Sequence, residues 1–211
     1  MNIMNMLRLG AACVAGLAMV ACVERGADAA ADGSCNGNAA IENIMTRTSI
    51  RQFDPDRKIN ADTVEVLLRA AMAAPTAVNK QPWAFVVVDD RAVLDSLSLA
   101  SPYSRLETAP MAIVACGDMS LTLEGEAQGF WVCDVSAATE NLLLAAHAMG
   151  LGAVWTGMYP SVERVANVSH VLGLPESIVP LAVVPVGYPA AEPAPKDKWD
   201  PAKVHYNGWS E

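Results

Sequence analysis

Apolar residues recur along this chain at two spacings, and the changes between them mark its elements. Ile41 to Met45 begins a helical pattern, and Val64, Leu67, Leu68, Ala71 and Met72 lie on one face of the next. Asn60 to Asp62 stands just upstream, where a side-chain oxygen caps a helix. Trp83 to Val88 reads as a strand ending in the β-branched run Val86 to Val88, Arg91 to Leu99 is helical, and Ser101-Pro102-Tyr103 breaks it. Met111 to Cys116 is apolar without interruption, which predicts a central strand buried on both faces. Val132 to Met149 is the longest helix, with Val135, Ala138, Thr139, Leu142, Ala146 and Met149 at i, i+3, i+4, i+7 spacing. Gly150-Leu151-Gly152 stops it and leads into Ala153-Val154-Trp155. Ser161 caps a helix ending near Leu172, with Gly173 and Pro175 as stop signals. Val179 to Val186 is a further apolar strand, closed by Gly187-Tyr188-Pro189. Strands alternating with helices predict one layer of sheet covered by helices, α+β or α/β in class.

The two ends do not fit this pattern. Leu9 to Ala21 is an apolar run behind Arg8, too short for a permanent membrane span but suited to a secretory leader. Met19-Val20-Ala21-Cys22 resembles a bacterial lipoprotein box, which implies cleavage before Cys22, acylation of its thiol and a place in the cell envelope as a membrane-anchored lipoprotein. Alternatives are cleavage after Ala27-Asp28-Ala29, giving a soluble secreted protein, and an uncleaved anchor. The expected division is a signal peptide over 1–21, a flexible tether over 22–40 and one folded domain over 41–211. At the other end, Lys196-Asp197-Lys198-Trp199 and Val204 to Trp209 carry two tryptophans and a tyrosine. Each such ring buries about 150–250 Å² when packed. The tail is therefore expected to dock, on its own domain or on a second subunit.

Composition narrows the function. The chain has 211 residues, 53% of them hydrophobic, enough for one domain with a substantial core. Its net charge of −9 argues against a nucleic-acid partner, which a negative surface repels. No dinucleotide-binding glycine fingerprint, Walker loop, H-E-x-x-H or G-x-S-x-G is present, and His147, His170 and His205 lack metal-ligand spacing. No metal is expected. Two features remain. Ala73 to Phe85 is a loop stiffened by Pro75 and Pro82 that displays two amides, Asn79 and Gln81. Arg47 and Arg51 early, with Lys196 and Lys198 late, make sense in an acidic chain if the fold gathers them round one anion, with Ser49 adding a hydroxyl. The plain alternatives are a stiff connector and solvated surface charge.

Four blocks together resemble the nitroreductase family of FMN-dependent oxidoreductases: Arg47 to Phe53, Ala74 to Phe85, Gly150 to Gly157, and Pro195 to Trp199 with the closing Val204 to Trp209. They stand in the family's order and cover the chain from about Ile41 to Trp209. The resemblance implies an α+β homodimer with a central mixed sheet flanked by helices, FMN between subunits and a C-terminal tail wrapping the partner. It matches Arg47, Ser49, Lys196 and Lys198 to the phosphate and ribityl site, and Arg51 to the cation near flavin N1 and O2. Asn79 and Gln81 match amides at the pyrimidine edge and rim, and Pro75 and Thr76 match positions beside the cofactor. Thr156 and Gly157 match the turn whose backbone N–H meets flavin N5, which makes them the catalytic pair. Thr48 departs from the pattern, standing where many members have a second Arg, and Lys198 replaces a frequent Arg.

The implied activity is ping-pong hydride transfer from NADH or NADPH, through FMN N5, to a nitroaromatic, quinone or similar small-molecule acceptor. With a leader upstream, an envelope donor is the alternative to NAD(P)H, and a non-turnover FMN-binding electron carrier is the alternative to an enzyme. Leu121 to Phe130 is the candidate for a small lid.

Overall fold

The computed structural model describes residues 38–191 and 194–209. The expected signal peptide, the Cys22 expected to carry a lipid and the expected tether as far as residue 37 lie outside the described residues, while Asn38 to Ala40, placed in the tether above, cap and begin the first helix. The ordered elements are α1 (Ala39–Thr46), α2 (Ala61–Met72), β1 (Trp83–Val88), α3 (Arg91–Ala100), β2 (Met111–Asp118), α4 (Phe130–Ala148), β3 (Gly152–Ala153), β4 (Thr156–Gly157), α5 (Val162–Leu172) and β5 (Ile178–Gly187). Capping follows local chemistry: Asn60 accepts from the Thr63 N–H, Asp90 from Val93 and Ser161 from Arg164, while Gly173 ends α5 with φ +62°.

The sheet runs β1-β2-β5-β3, with β4 also pairing β5. Among the described residues every strand pair is antiparallel, where a mixed sheet is expected above. The cause lies in the connections. One helical crossover makes neighbouring strands parallel. Here β2 starts beside the end of β1, Val88 opposite Ala112, so α3 and the 101–110 loop complete a round trip. The predicted central strand is central, since β2 pairs with β1 on one side and β5 on the other.

Alternation along β2 builds two cores. Met111 and Ile113 join Leu67 and Ala71 of α2 and Leu142 and Ala146 of α4 on one face. Ala112, Val114 and Cys116 join Leu94 and Leu97 of α3 and Val168 of α5 on the other. Polar side chains then lock the helices together. Asn141 donates to the Ala70 carbonyl between α4 and α2, and Asn43 to the Leu144 carbonyl between α4 and α1. His147 hydrogen-bonds Thr46 Oγ1 at 2.9 Å, which gives that histidine a structural partner.

After α1 the chain lies along the rim of the sheet. The Ile50 N–H donates to Ala153 O, Asp54 to Tyr188 O, and Ala190 returns a bond to Gln52 O. Phe53 bridges Pro189 and is almost fully buried. Gly152 makes this approach possible, because a Cβ there would stand 2.6 Å from Ile50 Cβ. The arginine-bearing segment 47–53 is thereby fixed against the block that carries Thr156 and Gly157.

Candidate active site

Arg47, Thr48, Ser49, Arg51, Lys196 and Lys198 line one hollow of about 180 Å³. Positions almost 150 residues apart in sequence thus meet round a space rich in donors. Arg47 is half-fixed within it: its Nε stands 3.2 Å from Glu140 Oε1 on α4, and its side chain is only 16% exposed. That pair orients the guanidinium and offsets part of its charge. Lys196 and Lys198 are exposed and form no ion pair among the described residues. They stay free to meet a phosphate.

Arg51 also lines a second hollow, of about 230 Å³, with Trp155, Thr156 and Gly157. Tyr103, Arg105 and Arg164 complete its wall. The expected turn at Thr156 and Gly157 is instead an edge strand, β4, and its register decides what Gly157 presents. Antiparallel partners alternate between exchanging two hydrogen bonds and exchanging none. Met158 N donates to Leu181 O, which makes Thr156–Val183 a bonded pair and Gly157–Ala182 an open one. The N–H and C=O of Gly157 therefore point out of the sheet edge. Its carbonyl accepts from Arg164 Nη1 at 3.3 Å, leaving the N–H to an outside acceptor. The Thr156 hydroxyl is turned inward and donates to the Val183 carbonyl, so this residue acts through its backbone.

No atom of the chain itself requires a glycine at 157, since a Cβ there would meet nothing nearer than 3.9 Å. What the glycine keeps clear is the space before its own N–H. A planar ring nitrogen seated there, with a phosphate in the first hollow and Arg51 common to both, matches the demands of FMN. The donor set fits the group.

Pro75, Thr76, Asn79 and Gln81 line neither hollow within a single chain. They form a tightly built loop between α2 and β1. The Ala77 N–H donates to the buried Asp134 carboxylate at 2.8 Å, the Gln81 N–H to Thr76 Oγ1, and Gln81 Nε2 to Asn79 Oδ1. Val78, Asn79 and Gln81 all have left-handed backbones, at φ +43°, +58° and +52°. For L-residues that costs on the order of 1–2 kcal/mol each. The two amides of this loop are exposed and bond to each other.

Sequence reasoning missed Tyr103, Arg105, Arg164 and Glu140. Arg105 stands three residues past Pro102 and Arg164 three past the Ser161 cap. Neither position signals that its side chain turns toward β4, because only the tertiary path sets that.

The sequence pattern of the family described as the nitroreductase family matches residues 44–102 and 97–188. A Methanothermobacter thermautotrophicus protein with the provisional name NADH dehydrogenase/NAD(P)H nitroreductase is 42% identical over 179 residues, 84% of this chain and 92% of its own. A crystal structure from Bacteroides thetaiotaomicron under the same provisional name superposes with a TM-score of 0.77 at 45% identity, covering 82% of this chain and 99% of that one. An FMN-dependent nitroreductase from Clostridium difficile superposes at 0.73 with 27% identity, over 80% of this chain and 99% of its own. With the family's pattern spanning most of the chain and a relative at 42% identity matched over 92% of its length, the chain belongs to the nitroreductase family.

Proposed function

We propose that this protein is an FMN-dependent oxidoreductase that passes a hydride from a reduced donor to a small acceptor. The observation that carries this is the outward, unobstructed N–H of Gly157 at a hollow that Arg51 joins to the polar hollow of Arg47, Ser49, Lys196 and Lys198. Bound there, FMN supplies reversible two-electron chemistry, with NADH or NADPH as donor and a nitroaromatic, quinone or similar molecule as acceptor. The chain's own work is positioning and electrostatics. Lys196, Lys198, Arg47 and Ser49 hold the phosphate, and the Gly157 N–H sets the height of the hydride-accepting nitrogen. Arg51 favours the reduced cofactor, because a fixed cation stabilises the negative charge that reduction brings. Anaerobic addition of NADH or NADPH to the purified yellow protein should bleach its flavin absorbance, and an added quinone or nitroaromatic should restore it. A colourless protein after expression with ample riboflavin defeats the reading. A yellow protein that neither pyridine nucleotide bleaches favours an envelope donor, such as a quinol or a redox protein, or the electron-carrier alternative.

The working form is proposed to be a homodimer. Within one chain Trp199, Tyr206 and Trp209 are 72%, 85% and 84% exposed, and α1 buries none of its residues while showing Ile41, Ile44 and Met45 to solvent. Surface of that kind is normally covered. The leader from Leu9 to Cys22 further suggests that the domain is tethered to a membrane through a lipid on Cys22. Replacing Cys22 by Ser should move the protein from the membrane fraction to the soluble fraction. Unchanged partition removes the lipid tether, and fractionation that places the protein in the cytosol removes the case for an envelope donor.

A further inference from the structure

Three arginines converge on the hollow in front of β4, and the phosphate of a bound flavin does not account for all of them. Arg51, Arg105 and Arg164 line that space. They come from the 47–53 segment, the 101–110 loop and α5. The chain carries net charge −9, yet no Asp or Glu lines the hollow, and none of the three arginines has an ion pair among the described residues. Each is held in place at some cost or by a specific contact. Arg105 adopts a left-handed backbone at φ +59°. Arg164 donates to Gly157 O, and its guanidinium stands 4.9 Å from the centroid of the Tyr103 ring. Like charges gathered without a carboxylate repel one another unless an anion enters.

The phosphate hollow has its own donors in Arg47, Ser49, Lys196 and Lys198, and neither Arg105 nor Arg164 lines it. We propose that the Arg105 and Arg164 wall of this hollow, beside the seated flavin ring, binds the anionic group of a substrate, a carboxylate, sulfonate or phosphate, with these two arginines as the specificity-determining residues. This assignment rests on the flavin oxidoreductase reading. The anion has two possible sources: a charged acceptor, or the extra phosphate by which NADPH differs from NADH.

The test uses the flavin-loaded full chain and pairs of ligands alike in shape but not in charge. Steady-state rates are measured with 4-nitrobenzoate against 4-nitrobenzamide and with NADPH against NADH, in the parent protein and in R105Q, R105K and R164Q. Benzoate and benzamide are titrated calorimetrically without turnover. The parent should favour the anionic member of one pair by about tenfold, chiefly through KM, and this preference should weaken in high salt. R105Q and R164Q should each erase most of it, and R105K should restore it. A change confined to the acceptor pair, mirrored in the benzoate titration, assigns the site to a charged acceptor. A change confined to the donor pair assigns it to the NADPH phosphate. Preferences that stay unchanged in both Gln variants overturn the proposal. So does a shifted flavin midpoint potential with both preferences intact, because the cations would then serve the cofactor. A parent protein that binds no flavin defeats the underlying reading instead, so the two failures are distinct.

Discussion

Asn79 shows how backbone and side-chain roles separate at a single residue. Its φ of +58° is one that Asn tolerates better than most residues, and its amide is exposed beside Gln81. Replacement by Ala removes the amide and also forces an ordinary side chain into left-handed backbone. Replacement by Gly removes the amide alone. Both variants should release FMN more readily, by about 1–3 kcal/mol for a lost hydrogen bond at a buried cofactor edge. Only Asn79→Ala should also lower the melting temperature. Equilibrium dialysis of flavin and thermal denaturation of the two variants give the comparison, and unchanged flavin affinity in Asn79→Gly reduces the loop to a connector. Cys116 is a residue of the opposite kind, with no part in the site. Burial pushes its thiol up to about 12 from 9.0. Between those values the unfolded chain loses the proton while the folded one keeps it, so ionisation favours unfolding. Stability should fall above pH 9 by up to about 1.4 kcal/mol per pH unit from this group. Urea midpoints at pH 8 and pH 10 should therefore differ less for Cys116→Ala than for the parent.

At the level of elements, the positions of strands and helices were legible because each obeys a local rule: a period, a cap or a glycine stop. Asn60, Ser161 and Gly173 do at their helix ends what their chemistry predicts. Strand direction was not legible. It depends on whether α3 and the 101–110 loop cross the sheet once or return, and no residue between Val88 and Met111 encodes that by type. The site divides in the same way. Motif blocks supplied Arg47, Arg51, Thr156 and Gly157, but the contact of Arg164 with Gly157 and the Glu140 partner of Arg47 are consequences of packing. One glycine links the two levels. Gly152 lets Ile50 lie against β3, and a methyl group there would stand 2.6 Å from a branched carbon close to the backbone. Gly152→Ala should therefore cost about 1–3 kcal/mol, seen as a melting point several degrees lower. It should also weaken flavin retention, because segment 47–53 carries four of the six residues that line the phosphate hollow. A stable variant with unchanged flavin affinity would mean that the segment shifts without moving Arg47.

For the whole molecule, the tail is where the proposed assembly and the proposed cofactor site would be linked. Lys196 and Lys198 line the phosphate hollow, and Trp199 follows directly, 72% exposed within one chain. Further on, His205 and Trp209 stack with ring centroids 4.0 Å apart, an ordered aromatic pair on an otherwise exposed segment. If a second subunit receives these rings, the lysines are held at the hollow by contacts made between chains. Removing residues 199–211 should then have two effects. Sedimentation equilibrium should show the dimer weakened by several kcal/mol, as the loss of interfacial tryptophans typically does. Flavin affinity should also become dependent on protein concentration, tightening as the chains reassociate, because ligand binding and assembly are then linked. Trp199→Ala should show both effects in milder form, with Lys196 and Lys198 intact. A shortened chain that remains dimeric and binds flavin equally at all concentrations would mean that the tail serves neither assembly nor the phosphate site.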